Sequence, residues 1–510
     1  MAQLTDIPLE LIIQILNNLD FRSILLCRQL NRLFKDIVDT DAYLQYKIEL
    51  AVAGMEDGPP SSATPSERLQ LLREHRKAWN EMRFNSSEDI PMSAGGVWEL
   101  FGGVLAQGIP PKGMSFNQLP SKLRGIESKA WALHDLGVKI RDFGMDPASD
   151  LLVLVVKPPP ESTTFSIHLR SMATGKPHPA ASHAILEHTV DGLRFSFTIQ
   201  PSGDYLGVFF ESAEEEIDSE LVVWNWKTGK VEMVLALEAH CPFAFLTDRH
   251  VILSLVREHD EHESEVVLAV ADFKSASPEK VHCGDVEFTC EFQYPALRHD
   301  AQVLAVTLRA DPSPGWVPHH LSTPFNKDRN ERLLVITLWA QIRLGEHNHV
   351  QPLLHFVPSS TILRYLGQRT EGELPSITVP WEKWGPSGSR MLESLPRHSP
   401  TWVCYVHGMT FVRHSPIDKL PRKLVQILDF NQVAVKRALA DPLFSLGEVI
   451  CEPTRVSLQL FQGDVTTSLP FQLKTVTLPP WREFGSPMVS EDSIVMVYSE
   501  IGRRYRVLTF

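Results

Sequence analysis

The side chains that could do chemistry come in short clusters. Glu258-His259-Asp260-Glu261-His262-Glu263 offers the imidazoles and carboxylates that hold divalent metals. It sits between two strand-like apolar runs, which makes it a solvated hairpin loop. His319-His320, and His347 with His349, read as loop histidines by the same logic. Glu211 to Glu220 holds six acids in ten residues, the pattern of a solvated charged loop. Gly175-Lys176 and Gly229-Lys230 lack the upstream glycine and the following hydroxyl residue of a phosphate loop. Gly385-Pro386-Ser387-Gly388-Ser389 misplaces by one the last glycine of a nucleophile elbow. The six cysteines, at 27, 241, 283, 290, 404 and 451, show no C-x-x-C spacing and read as reduced, mostly buried thiols of an intracellular protein. No acid, base and nucleophile converge, so the sequence predicts no enzyme, no cofactor and no metal site.

The elements that carry these residues belong to a globular chain. At 510 residues it is too long for one compact domain, and its 22% charged and 43% hydrophobic content is ordinary. Forty-nine basic against 62 acidic side chains give −13, which argues against nucleic acid as the main partner, since phosphate contacts need clustered Lys and Arg. The N-terminus has no basic stretch of a signal peptide, and the longest apolar runs, such as Leu151 to Val156, are strand-sized. No membrane is expected as a partner, and the expected location is cytoplasm or nucleus.

Residues 1–53 have helical periodicity. Pro8 suits a first helical turn, and Leu11, Ile12, Ile15, Leu16 and Leu19 recur at spacings of three and four. Asp20 can cap a second helical stretch running to Val38, and Asp41 a third that ends near Gly54. Apolar residues on more than one helix face imply a second surface to bury against, either the rest of the chain or another protein. Residues 54–90 read as a connector followed by a docking helix. Thr64-Pro65-Ser66-Glu67 is a capping box, and Leu69, Leu72, Trp79 and Met82 form one apolar stripe. Arg68, Arg73, Arg76, Lys77 and Arg83 form a solvated basic face.

From residue 91 to 510 the apolar period is two. Asp150 and Asp204, each in a turn before an apolar strand, lie 54 residues apart, and so do Gly175 and Gly229 in two Thr-Gly-Lys turns. Two markers sharing one offset indicate a repeated unit of four antiparallel strands, a propeller blade. The body holds about seven such units. Phe245–His250 and Leu297–Asp300 are weaker relatives of the Asp-bearing turn, and a strand near Val97–Phe101 is expected to meet Tyr505–Phe510 and close the ring. The fold class is mainly β with a small α head.

The first 45 residues resemble an F-box. Ile7-Pro8-Leu9-Glu10, Ile15-Leu16, Leu19-Asp20 and Leu25-Leu26-Cys27-Arg28-Gln29-Leu30-Asn31-Arg32-Leu33-Phe34 follow its pattern. Ile7 stands for the first Leu, Leu30 for Val, Asn31 for Cys and Phe34 for Trp. The body resembles the strand-rich regions after F-boxes in mushroom-type fungi, in phrases such as Trp384–Arg390 and Trp402–Gly408, and it resembles WD-repeat blades at Trp224-Asn225. The resemblance implies a trihelical module that docks on a Skp-type adaptor and through it a cullin, with Ile7, Pro8, Leu11, Ile12, Ile15, Leu16, Leu19, Leu30 and Phe34 at the adaptor. It implies a substrate-recognition subunit of a ubiquitin ligase, with the propeller binding a protein substrate. The alternatives are an enzyme with a site in the propeller channel and a scaffold that does not ubiquitinate.

Overall fold

The computed structural model describes residues 7–510 apart from 160–161, 193, 215, 238–240, 261–262, 319–321, 345–346, 368–375, 395–403, 416–423, 457–459, 478–485 and 499–501. The head begins with α1 (Leu9–Asn17), α2 (Phe21–Arg28), α3 (Arg32–Thr40) and α4 (Ala42–Ala53). Where one helical stretch is expected after Asp20, two helices form. Asn31 is fully extended (φ −163°), and its side chain accepts from Phe34 N at 3.0 Å, so it stops one helix and caps the next. Asp20 and Asp41 cap α2 and α4 as expected, and Gly54, at φ +63°, ends α4 in the left-handed geometry that glycine adopts without cost. Ile12, Leu16, Ile24, Phe34, Ile37, Val38, Leu44 and Ile48 close a small core of their own.

The connector does not run free. Met55–Asp57 pairs antiparallel with Phe325–Lys327 of the body. Next comes α5 (Pro65–Glu81), started by the expected capping box: Thr64 Oγ1 accepts from Glu67 N, and the Glu67 carboxylate accepts from Thr64 N at 2.7 Å. Leu69 and Leu72 are buried, and Trp79 stacks on Phe510 with centroids 3.9 Å apart. The basic face is only partly solvated. Arg68 is buried and binds Asp57 at 2.6 Å, and Arg76 binds the buried Glu49 of α4 at 2.8 Å.

The body is a ring of seven blades, each an antiparallel meander. Their first strands are Trp98–Phe101, Ile140–Asp146, Phe195–Ser202, Phe243–Phe245, Ala301–Arg309, Val406–His407 and Ser486–Val489. First strands of blades 1 to 5 pack together in turn, as do those of blades 6 and 7, which sets them along the channel. The repeat is real in detail. Met172 N donates to Asp150 O at 2.9 Å and Trp226 N to Asp204 O at 3.0 Å, the same bond one blade on. Gly175 and Gly229 follow the third strands of blades 2 and 3, both with positive φ (+70° and +76°). Phe245–His250 is the matching turn of blade 4. Leu297–Asp300 is not; it leads into the first strand of blade 5.

Ring closure also differs from expectation. Trp98–Phe101 opens blade 1, and the strand that closes the ring is Ser86–Pro91, paired along its whole length with Arg504–Thr509. Blade 7 therefore takes its outermost strand from the N-terminal side, where Pro91 is tolerated at a sheet edge. Asp89 fixes the pairing through Arg506, at 2.6 and 2.7 Å. Two other outer edges are covered by the next blade: Lys280–His282 and Ile377–Val379 add parallel strands to blades 3 and 4. Covering an edge removes a template for association with another chain.

Candidate functional site

The head closes a core and still leaves large apolar side chains in water. Leu30 is 67% exposed, Leu26 65%, Leu11 47% and Ile15 46%, and Pro8, Leu9 and Leu33 are exposed as well. Pro8, Leu11 and Ile15 recur at three and four residues, so they form one stripe along α1. Leu26, Leu30 and Leu33 cluster where α2 turns into α3. Of the other residues named from the sequence, Ile12, Leu16 and Phe34 are buried in the head's core, and Ile7 and Leu19 are half-buried against it. One set faces solvent, and the other holds together the helices that carry it.

Polar bonds fix those helices. Lys47 of α4 donates to Asn17 O at 3.0 Å and Leu19 O at 2.5 Å, placing an ammonium at the C-terminal end of α1, where the helix dipole favours it. Arg28 and Asp39 pair at 2.6 Å between α2 and α3; the bond raises the arginine and lowers the carboxyl from their ordinary values. The head is then tied to the ring. Glu49 binds Arg76 of α5 and Arg437 of the blade 6 helix Gln432–Ala440, at 2.8 and 3.0 Å. Asn431, the cap of that helix, donates to Val52 O at the end of α4. Deeper, His75 of α5 binds Asp492 at 2.9 Å, and Arg124 binds both Asp492 (2.6 Å) and Glu491. Burial would raise the Asp492 carboxyl, but Arg124 and His75 outweigh it and hold it below its usual range.

The two ends of the ring differ. In a meander the turns after the first strands lie at one end, and those after the second strands lie at the other. The first-strand turns meet the head and the long segment from Ala310 to Arg332. Gly102 of blade 1 lies against the buried Trp316 and against Pro147 of blade 2. Gly315 packs on Gly203 of blade 3, Arg332 donates to Phe245 O and Leu246 O of blade 4, and Gly408 N of blade 6 donates to Asp311 O. Asp492 of blade 7 meets α5. This end is covered.

Within the ring, Glu99 and Asp142 of the first strands of blades 1 and 2, and Asp311 after that of blade 5, share the field of Arg309. Half-exposed to the channel but enclosed by the ring, they are shifted by desolvation: Glu99 to about 8, Asp142 to about 6, and Asp311 upward. Cys404 beside them donates to Leu100 O at 3.1 Å, and burial pushes its thiol up, so it stays a thiol.

The side chains of Glu258–Glu263, His319-His320 and His347 lie outside the described residues, as does Trp402; His349 is exposed on a strand. Among the described residues no three His, Cys, Asp or Glu come together as metal ligands. Ser389 is buried, and its hydroxyl donates to Gly385 O at 2.6 Å, a structural bond. Glu220, from the acid run, is buried between His188 and Lys280. Sequence reading missed the channel acids, the Arg124 network and the Trp316 segment. Only the last left a signal, in the Pro- and Gly-rich Asp311-Pro312-Ser313-Pro314-Gly315-Trp316 between two strands.

Comparison with known proteins agrees with the head. The model of the F-box domain matches residues 4–45, so the chain carries an F-box domain ahead of a seven-bladed β-propeller. No curated protein matches the chain. Among solved structures, the WD40 domain of SCAP from fission yeast is 8% identical, with a TM-score of 0.32, over 80% of this chain and 82% of that one. Drosophila Plexin A in complex with Semaphorin 1b is 8% identical, with a TM-score of 0.39, over 84% and 87%. Kluyveromyces lactis Hsv2 (complete loop 6CD) is 13% identical, with a TM-score of 0.24, over 36% of this chain and 59% of that one. These scores are low, and the ring rests on its strand pairing. No helix among the described residues is long and apolar enough to cross a membrane.

Proposed function

We propose that this protein is a substrate-recognition subunit of a cullin-RING ubiquitin ligase, in the cytoplasm or nucleus. The F-box docks on a Skp-type adaptor and the ring holds a protein substrate. The observation that carries the reading is the F-box's divided apolar set: a closed core beside exposed Pro8, Leu11, Ile15 and Leu30. An exposed apolar set of this kind marks an interaction site. The mechanism is proximity: tethering the substrate near a charged conjugating enzyme raises effective concentration without chemistry in this chain. The ties from α4 and α5 to blades 5, 6 and 7 support it, because a rigid joint fixes the distance between adaptor and substrate. The test is co-expression with a Skp-type adaptor and a cullin. A stoichiometric complex on size exclusion supports the reading, and separate elution of the chain contradicts it.

One observation favours a second reading, a reaction site in the channel: Glu99 and Asp142 carry the raised carboxyl pKa values of acid–base catalysts. Against it, the neighbouring thiol is held protonated and the head end of the channel is covered.

A further inference from the structure

Phosphorylation needs an exposed hydroxyl on a segment that can lift out of the fold into a kinase cleft. One class of kinases also selects proline as the next residue. Proline has no N–H to satisfy, and it biases the acceptor before it toward extended backbone. The chain has seven Ser-Pro or Thr-Pro pairs. Ser313, Thr323, Ser415 and Ser486 are buried, and Ser399 lies outside the described residues. Thr64 is exposed, but its hydroxyl and backbone are both spent on the capping box that starts α5. That leaves Ser277.

Ser277-Pro278 sits in the loop between the third strand of blade 4 and the strand Lys280–His282, which covers the outer edge of blade 3. Ser277, Pro278 and Glu279 are exposed. The Ser277 hydroxyl oxygen accepts from Glu279 N at 3.0 Å, and its proton has no acceptor among the described residues. Among the described residues no backbone hydrogen bond holds residues 276–279, so the loop lifts without breaking a ladder. Three residues after the acceptor, Lys280 Nζ pairs with the buried Glu220 at 3.0 Å and with Asp191 at 3.3 Å, which pins its strand to blade 3. Three residues span at most about 10 Å, within the combined reach of a phosphoserine and a lysine side chain.

We propose that Ser277 is the acceptor for a proline-directed Ser/Thr kinase, and that its phosphate draws Lys280 off Glu220 and loosens the strand that covers blade 3. The Ser277 oxygen bonds to the γ-phosphorus of ATP as the bond to the β,γ-bridging oxygen breaks. ADP leaves, and the hydroxyl proton passes to the kinase's catalytic carboxylate. The product carries close to two negative charges and three strong acceptor oxygens. Glu220 keeps His188, at 2.7 Å, when Lys280 leaves, so the exchange does not strand a buried carboxylate.

The test is incubation of the full chain with a proline-directed kinase of the cyclin-dependent class and ATP. Phosphopeptides are mapped by mass spectrometry, and amide exchange is measured on the product. The expected result is near-stoichiometric phosphate on Ser277 and none on Ser313, Thr323 or Ser486. Pro278→Ala should be labelled at Ser277 about tenfold more weakly. Pro278 is exposed in a loop, so its variant keeps the fold. The amides of Lys280–His282 should exchange several-fold faster after phosphorylation, and Lys280→Gln should show the same acceleration without kinase. An unlabelled Ser277, or equal labelling of Pro278→Ala, overturns the site. A labelled Ser277 with unchanged exchange, or parent-like exchange in Lys280→Gln, overturns the loosening.

Discussion

Ile15 and Leu16 are neighbours in sequence with opposite exposure: 46% for Ile15 and 1% for Leu16. Their spacing put both on an apolar helix, but which face is covered depends on α2 and α4, and the period of α1 carries no record of those. Leu16→Ala should therefore lower the melting point of the head, at a cost of about 2–5 kcal/mol for a core leucine. Ile15→Ala should leave melting unchanged. A second residue carries a pH prediction. His355 is enclosed by Tyr294, Trp381 and Trp384, shares a 2.6 Å hydrogen bond with Tyr294, and burial lowers its pKa from 6.5 to about 3. The unfolded chain protonates this group first. Its contribution is thus full above pH 6.5 and is lost as pH falls toward 3. Denaturant titrations across that range should show stability falling with pH, with a shallower slope in His355→Gln. An unchanged slope contradicts this assignment.

Among the elements, α5 is the joint. Its capping box and apolar stripe were legible, because caps and helical spacing are local. Its basic face was misread, because the acids that neutralise Arg68 and Arg76 are brought to it by Met55–Asp57 and α4. The Arg124 network was invisible for the same reason: its partners lie at least 201 residues away. Removing one partner of a buried charge cluster leaves the others uncompensated. Arg124→Met should cost about 3–5 kcal/mol and loosen α5 from blade 7, read as faster amide exchange in Pro65–Glu81. Protection equal to that of the parent protein would show that the joint holds without Arg124.

At the scale of the molecule, the repeat gave the ring because a blade is a local unit copied at a fixed offset. It did not give the closing strand, since Ser86–Pro91 lies before the repeats begin and alternates too weakly to stand out. Replacing 86–91 by a Gly/Ser spacer of equal length should leave Arg504–Thr509 uncovered, lower the melting point and produce concentration-dependent association on size exclusion. A monomer of unchanged stability would contradict closure by that strand. The central claim, that the exposed residues of the F-box form an adaptor-docking face, is tested most directly by calorimetric titration of a Skp-type adaptor into the full chain and into Ile15→Ala/Leu30→Ala. Each truncation removes about 1 kcal/mol or more of apolar burial at the interface, so the double variant should bind roughly ten- to a hundredfold more weakly at an unchanged melting point. Equal affinity of the two proteins, or no binding by the parent chain, would contradict it.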